Sequence, residues 1–183
     1  FADEEPVDPA ALRDHHVTAV LVAHDGHRWL DRTLESLAAL DRRPDRIVGV
    51  DTGSRDDSER RMVGSLGAHS VITAPPSTGF GAAVQKGVDA ADDRLVGAAA
   101  GDRTAWIWLL HDDCAPRPDA LRRMLETAVR RPDAGVIGPK VIAWRDTGQL
   151  LEIGLTVTGS GRRHTGLDKR EYDQGQHDDR ADV

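Results

Sequence analysis

Apolar residues in this chain come in two kinds of short block, and the two kinds alternate. Val17–Ala23, "VTAVLVA", is continuous and rich in β-branched residues, which predicts a strand covered on both faces. In the following "HDGHRWLDRTLESLAAL", Trp29, Leu30, Leu34, Leu37 and Leu40 share one helical face, and Pro44 closes the segment. "RIVGVD", Arg46–Asp51, predicts a second strand ending in a carboxylate. "TGSRDDSERRMVGSLGA" predicts a turn and a helix that Ser54 or Asp56 caps and Gly67 ends. A third short strand is expected at "HSVITA", a helix at "GFGAAVQKGVDAA", a loop at "RLVGAAAGDRT" and a fourth, buried strand at "AWIWLL". Pro118 suits the start of a helix over "DALRRMLETAVRR". "GVIGPKVIAW" predicts a fifth strand, broken at Gly138 and Pro139, and "QLLEIGLTVTG" one or two more. Phe1–His16 reads as a polar lead-in. From Arg162 to Val183 apolar residues are few and unperiodic, so a loop or a disordered end is expected there.

Strands alternating with helices imply right-handed crossovers and a mostly parallel sheet, in which ligands bind beyond the carboxyl ends of the strands. Asp51, His111, Asp112 and Asp113 fall at such ends, and His24 and Asp25 follow the first strand in the same way. Neighbouring carboxylates repel, and without a cation one of them should take up a proton. A hard divalent ion, Mg²⁺ or Mn²⁺, removes the conflict and fills its shell with phosphate oxygens and water. The plainer alternative is a helix cap beside a surface loop. Asp51 can accept hydrogen bonds from a ribose or a nucleobase edge; the alternative there is an Asx turn at "DTGS".

Composition narrows the possibilities. The 183 residues suit one domain or a large piece of one, and 39% hydrophobic with 30% charged residues is ordinary for a soluble globular chain. A net charge of -7 and the lack of a basic run exclude non-specific nucleic-acid binding. Cys114 is the only cysteine, so no internal disulfide forms and a cytoplasmic location is expected. No apolar run approaches the ~20 residues of a membrane-spanning helix. The start lacks both an initiator methionine and the order of a signal peptide. A trimmed piece of a longer parent is therefore expected, with membrane association through a missing part left open. "GFGAAVQKG" carries Val84 where a dinucleotide loop needs its third glycine, and no Walker loop, H-E-x-x-H or G-x-S-x-G occurs. His15, His16, His69, His164 and His177 read as surface or loop residues. Trp29, Trp106, Trp108 and Trp144 read as core or sheet packing.

Taken in order, these pieces resemble the family 2 glycosyltransferases with the GT-A fold. "VTAVLVAHDGHRWLDRTLESLAAL" is similar to that family's opening segment, and "RIVGVDTGSRDDS" to its second strand and Asp-x-Gly-Ser turn. "STGFGAAVQKGVDAA" resembles its glycine-containing segment, "WIWLLHDDCAPRPDAL" its metal-binding Asp-x-Asp region, and "AGVIGPKVIAW" the strand after the next helix. The similarity runs from about Val17 to Gly154, within an incomplete domain at 17–161.

The resemblance implies a nucleotide-sugar donor of the UDP, GDP or dTDP type, and a saccharide or lipid-linked acceptor. It implies that Asp51 contacts base or ribose, that the backbone of Ala23 and His24 borders the base, and that Gly79 and Asp112 help hold the donor. Asp113 would bind the divalent cation. His111 stands where the family has its leading acid, and it can still ligate Mn²⁺ or hydrogen-bond a ribose. The implied reaction inverts the anomeric centre: an acceptor hydroxyl attacks as a base takes its proton, and a nucleoside diphosphate leaves. The family's base segment is not found before Val183, so the base is expected beyond it, and a fragment that binds nucleotide but transfers little sugar is expected. Two alternatives stay open: a non-catalytic, degenerate GT-A binding module, and a sugar-nucleotide nucleotidyltransferase.

Overall fold

The continuous apolar run forms the strand next to which everything else is placed. In the computed structural model, which describes residues 6–91, 103–154, 156–157 and 159–178, β1 spans His15–Ala23 and is buried along its whole length. It pairs in parallel with β2 (Arg46–Asp51) on one side and β4 (Thr104–His111) on the other, and β3 (Val71–Thr73) adds in parallel to β2. The order is β3-β2-β1-β4. The Rossmann-like, mostly parallel sheet expected of the GT-A resemblance is therefore present.

Both faces of β1 are covered, which is why its apolar run does not alternate. Ala19, Leu21 and Ala23 pack with Leu30, Leu34 and Leu37 of α1 (Leu30–Ala38) and Met62 of α2 (Ser58–Leu66). Val20 and Val22 point the other way, into a cluster with Val48, Val50 and Ala83 of α3 (Phe80–Ala90). Gly67 ends α2 at φ 86°, where a side chain would be strained. The residue before α2 is Asp57, whose side chain makes no cap; Asp56 takes the Ser58 N–H instead.

Gly87 sets how closely α3 approaches the sheet. A Cβ there would lie 2.5 Å from Val20 Cγ1 and 3.1 Å from Val50 Cγ2. Alanine would add helix propensity of ~1 kcal/mol, but overpacking against two stiff β-branched side chains costs about 1–3 kcal/mol. Gly87→Ala should therefore lower stability, read as an earlier urea midpoint; an unchanged or later midpoint would show that the helix slides freely.

Three expectations change on folding. β4 is the edge strand of this sheet among the described residues and is only partly covered, with Leu109 49% exposed. Its run of apolar residues had suggested burial, but apolar content does not report a strand's rank in a sheet. The fifth strand shrinks to β5 (Val141–Ile142), which pairs antiparallel with β6 (Leu150–Glu152) and does not join the parallel sheet. Trp144 is exposed. The loop expected at "RLVGAAAGDRT" lies almost entirely outside the described residues.

Cα proximity divides the chain into two compact units, one of Asp8–Leu125 and one built mainly from Glu126 onward, with the boundary inside α4 (Ala120–Arg130). In the second unit, β7 (Thr156–Val157) pairs antiparallel with β8 (Arg163–His164). Lys140 bonds Asp173 and Asp178, and the Tyr172 hydroxyl donates to Asp146. The described residues from Arg162 to Asp178 are mostly turns, bends and loop, held in part by these polar contacts.

The histidines expected at the surface supply the largest correction. His15 and His16 begin β1 and are buried. The Trp106 indole N–H donates to His15 Nδ1 at 2.9 Å, and Arg103 lies 3.2 Å from His16 Nδ1. An indole nitrogen only donates, so His15 Nδ1 is an acceptor and the His15 ring sits neutral. Around them stand Asp14, Arg42 and Asp45; Arg42 donates to Asp45 and to the His15 carbonyl, and Asp45 accepts the Val17 N–H.

Burial pushes the His15 imidazole below its usual value, opposed by Asp14 and reinforced by Arg42. The unfolded chain therefore takes up this proton first as pH falls below about 6.5. Stability contributed by neutral His15 is complete above that pH and declines through the window down to the folded-state value. His15→Gln keeps an acceptor and removes the titration. Urea unfolding at pH 7.5 and 5.5 should show a smaller pH difference in that variant than in the wild type; an equal difference would clear His15 of any part.

Candidate functional site

Parallel register brings the predicted residues to one rim. Ala23 pairs with Asp51 and Val22 with His111. The ends of β2 and β4 thus flank the end of β1, about 10 Å apart at two strand spacings. Side chains and turns beyond those ends close the gap. The His24 N–H donates to Asp112 Oδ2 at 2.9 Å, and His24 Nδ1 sits 2.9 Å from the Thr52 carbonyl. Thr52 in turn donates through its N–H and its hydroxyl to the Ala23 carbonyl. The turn after β1 is locked to the turn after β2: the Asp25 N–H donates to Ser54 Oγ, the Arg55 N–H to Asp25 Oδ1, and the His27 N–H to Asp56 Oδ2. Asp25 has φ 50°, a left-handed conformation that aspartate tolerates better than most side chains.

Asp51 is 1% exposed. Its Oδ2 accepts the Ser54 N–H at 2.9 Å, while Oδ1 is buried with no hydrogen-bond partner among the described residues. A buried acceptor left unmade costs about 1–3 kcal/mol, more when charged. Of the buried side-chain atoms left unmet among the described residues, this is the one at the rim.

Asp112 is held from three sides. Its carboxylate meets His24, its carbonyl accepts the Thr33 hydroxyl at 2.8 Å, and Gly26 lies so close that an added Cβ would sit 2.3 Å from Oδ2. Burial pushes its carboxyl above the usual range, the His24 N–H opposes that, and the neighbouring Asp113 charge adds to it. Among the described residues no three His, Cys, Asp or Glu side chains gather as a ready-made metal cage. Two adjacent carboxylates with one partly desolvated still fit an ion that takes one or two protein oxygens and draws the rest from phosphate and water. The His111 ring is stacked on Phe80, with centroids 4.0 Å apart and planes 10° off parallel. Gly79 directly precedes Phe80 at the start of α3, so the stack brings the glycine segment to the end of β4.

Burial would raise the Asp56 carboxyl, but bonds from the Ser58 hydroxyl, the His27 and Ser58 N–H groups and the His27 ring outweigh it and hold it well below the usual carboxylate range. It is a fastener for the turn, ionised throughout the neutral range.

Ala23, His24, Asp51, Gly79, His111, Asp112 and Asp113 all belong to this rim or adjoin it. Sequence reasoning overlooked Gly26, Thr33, Ser58 and Phe80. Ser58 accepts the Gly26 N–H from 32 residues away and Thr33 reaches Asp112 across 79; no local pattern marks such partners. The one available signal was Gly26 itself, a glycine in the turn after a buried strand.

This sheet and rim define an α/β protein with its polar residues collected where nucleotides are bound in such folds. The chain belongs to the glycosyl transferase family 2, whose model matches residues 18–150. It is 27% identical over 127 residues to N-acetylglucosaminyl-diphospho-decaprenol L-rhamnosyltransferase of Mycobacterium tuberculosis, covering 67% of this chain and 40% of that protein. Among solved structures it resembles glucosyl-3-phosphoglycerate synthase from Mycobacterium tuberculosis in complex with Mn²⁺, UDP and glucosyl-3-phosphoglycerate. That match has a TM-score of 0.44 and 22% identity, covering 64% of this chain and 40% of that one. It also resembles S. aureus TarS 1–349, with a TM-score of 0.45 and 15% identity, covering 76% of this chain and 42% of that one. The chain spans about 40% of the length of the curated relative it matches. Among the described residues no helix is long and apolar enough to cross a membrane.

Proposed function

We propose that this chain carries the donor-binding part of a metal-dependent glycosyltransferase, which moves a sugar from a nucleotide-sugar donor to an acceptor hydroxyl with inversion. Family membership supports the reaction class. The unpartnered Oδ1 of Asp51 carries the assignment of the donor site: it is an acceptor waiting for an N–H or O–H, and a nucleobase edge or ribose supplies one. The backbone at Ala23 and His24 borders the base in this reading. The start of α3 at Gly79 lies toward the diphosphate, and Asp112 and Asp113, with His111, hold Mg²⁺ or Mn²⁺. Bound there, the ion supplies positive charge against the negative charge that grows on the departing nucleoside diphosphate. The protein's own work is to keep the tandem acids in place: Thr33 and the His24 N–H fix Asp112, and the turn bonds around Asp25 and Asp56 keep the rim from fraying.

Titration calorimetry with UDP, GDP and dTDP, each with and without Mn²⁺, tests the reading. One nucleotide should bind, and Mn²⁺ should tighten it at least about tenfold, as expected where a bridging charge is shared by protein and phosphate. Absence of metal-dependent binding for all three would instead fit a degenerate binding module.

A further inference from the structure

Phe80 is the first residue of α3 and packs against the buried cluster that contains Val20 and Val50. Its ring is therefore fixed from below by the core. On its outer side lies the exposed imidazole of His111, nearly parallel at 4.0 Å. Neither nitrogen of that imidazole has a hydrogen-bond partner among the described residues. Among the described residues the stack is the ring's one aromatic contact, and it uses a face of the ring, so both in-plane nitrogens stay available at the edge.

A histidine at the end of a strand, free of hydrogen bonds and exposed, would ordinarily exchange among rotamers. Holding it against a core-anchored phenyl ring removes that freedom before any ligand arrives, and a preorganised group binds with less entropy loss. The chain puts this device beside Asp112 and Asp113, on a residue whose ring can serve a cation or a phosphate oxygen.

We infer that Phe80 is a positioning residue for the donor site: by stacking on His111 it presents the imidazole edge to the metal–diphosphate part of the donor and not to its base. The inference rests on the donor-site reading above and adds to it a residue that touches neither nucleotide nor ion. Two consequences separate it from a packing role. Phe80 acts only through His111, and it acts on diphosphate and not on nucleoside.

The test is a double-mutant cycle read by calorimetry. The probes are the nucleoside diphosphate selected by the wild-type chain, with Mn²⁺, and its parent nucleoside. Phe80→Ala and His111→Ala should each weaken diphosphate binding by about three- to tenfold, the range of coupling between touching side chains. The double variant should be no weaker than the worse single variant, and Phe80→Tyr should restore binding. Nucleoside affinity should stay level in all four, and circular dichroism with urea unfolding confirms that each remains folded. Additive losses in the double variant overturn the inference, as does an equal loss toward the nucleoside, which would mark Phe80 as general packing. Wild-type protein that binds no nucleotide removes the donor-site reading and this inference together. Wild-type binding that Phe80→Ala leaves untouched removes this inference alone.

Discussion

Asp51→Asn should weaken nucleotide binding by about ten- to hundredfold while leaving the chain folded. The carboxylate ends β2, is buried, and spends one oxygen on the Ser54 N–H. The asparagine oxygen can keep that bond. Its amide then occupies the place of the unpartnered oxygen and presents a donor to a ligand that also donates. Loss of one hydrogen bond to a charged acceptor costs about 1.5–3 kcal/mol, and the stated range follows from that figure. Either side chain leaves one buried polar atom unmet in the free protein, so the urea midpoint should change little. Calorimetry and urea unfolding on the same preparation check both halves. Wild-type affinity in the variant would mean that a buried water, not a ligand, completes Asp51, and the donor site would have to be sought elsewhere.

Gly26→Ala should abolish the metal-dependent share of nucleotide affinity. The added methyl would sit 2.3 Å from Asp112 Oδ2 and 2.7 Å from its Cγ, far inside contact distance, so the carboxylate must move. The His24 N–H then loses its acceptor while the Thr33 hydroxyl still holds the Asp112 carbonyl. The backbone stays and the side chain is displaced. Disturbing the support of a metal-binding group typically lowers affinity by about 10–100-fold. Titrations should therefore show weak binding of similar strength with and without Mn²⁺. If Mn²⁺ tightens binding in the variant as it does in the wild type, Asp112 has no part in holding the ion.

How much of this was legible beforehand depended on whether the signal was local. β2 follows its predicted bounds residue for residue, and α1 and α3 lie inside their predicted segments, because apolar period and glycine or proline punctuation are written along a few consecutive residues. The placement of acids at strand ends was equally local, and the parallel topology follows from strands alternating with helices. His15 and His16 were misjudged because two histidines in a polar stretch carry no sign of Trp106 on β4 and Arg103 just before it, some 90 positions away. The antiparallel pairing of β5 with β6 was hidden by brevity, since two-residue strands have no measurable period.

Local chemistry along this chain determined a parallel α/β sheet with carboxylates gathered on its carboxyl rim, since strand, helix and turn preferences act between near neighbours and the parallel crossover leaves few other arrangements. Only the tertiary structure decided that β4 lies at the edge, that Gly26 makes room for Asp112, that Thr33 and the His24 N–H hold it, and that His111 rests on Phe80. Those are contacts between residues far apart in sequence, set by packing density and strand register, and such contacts come into being only when the chain closes on itself.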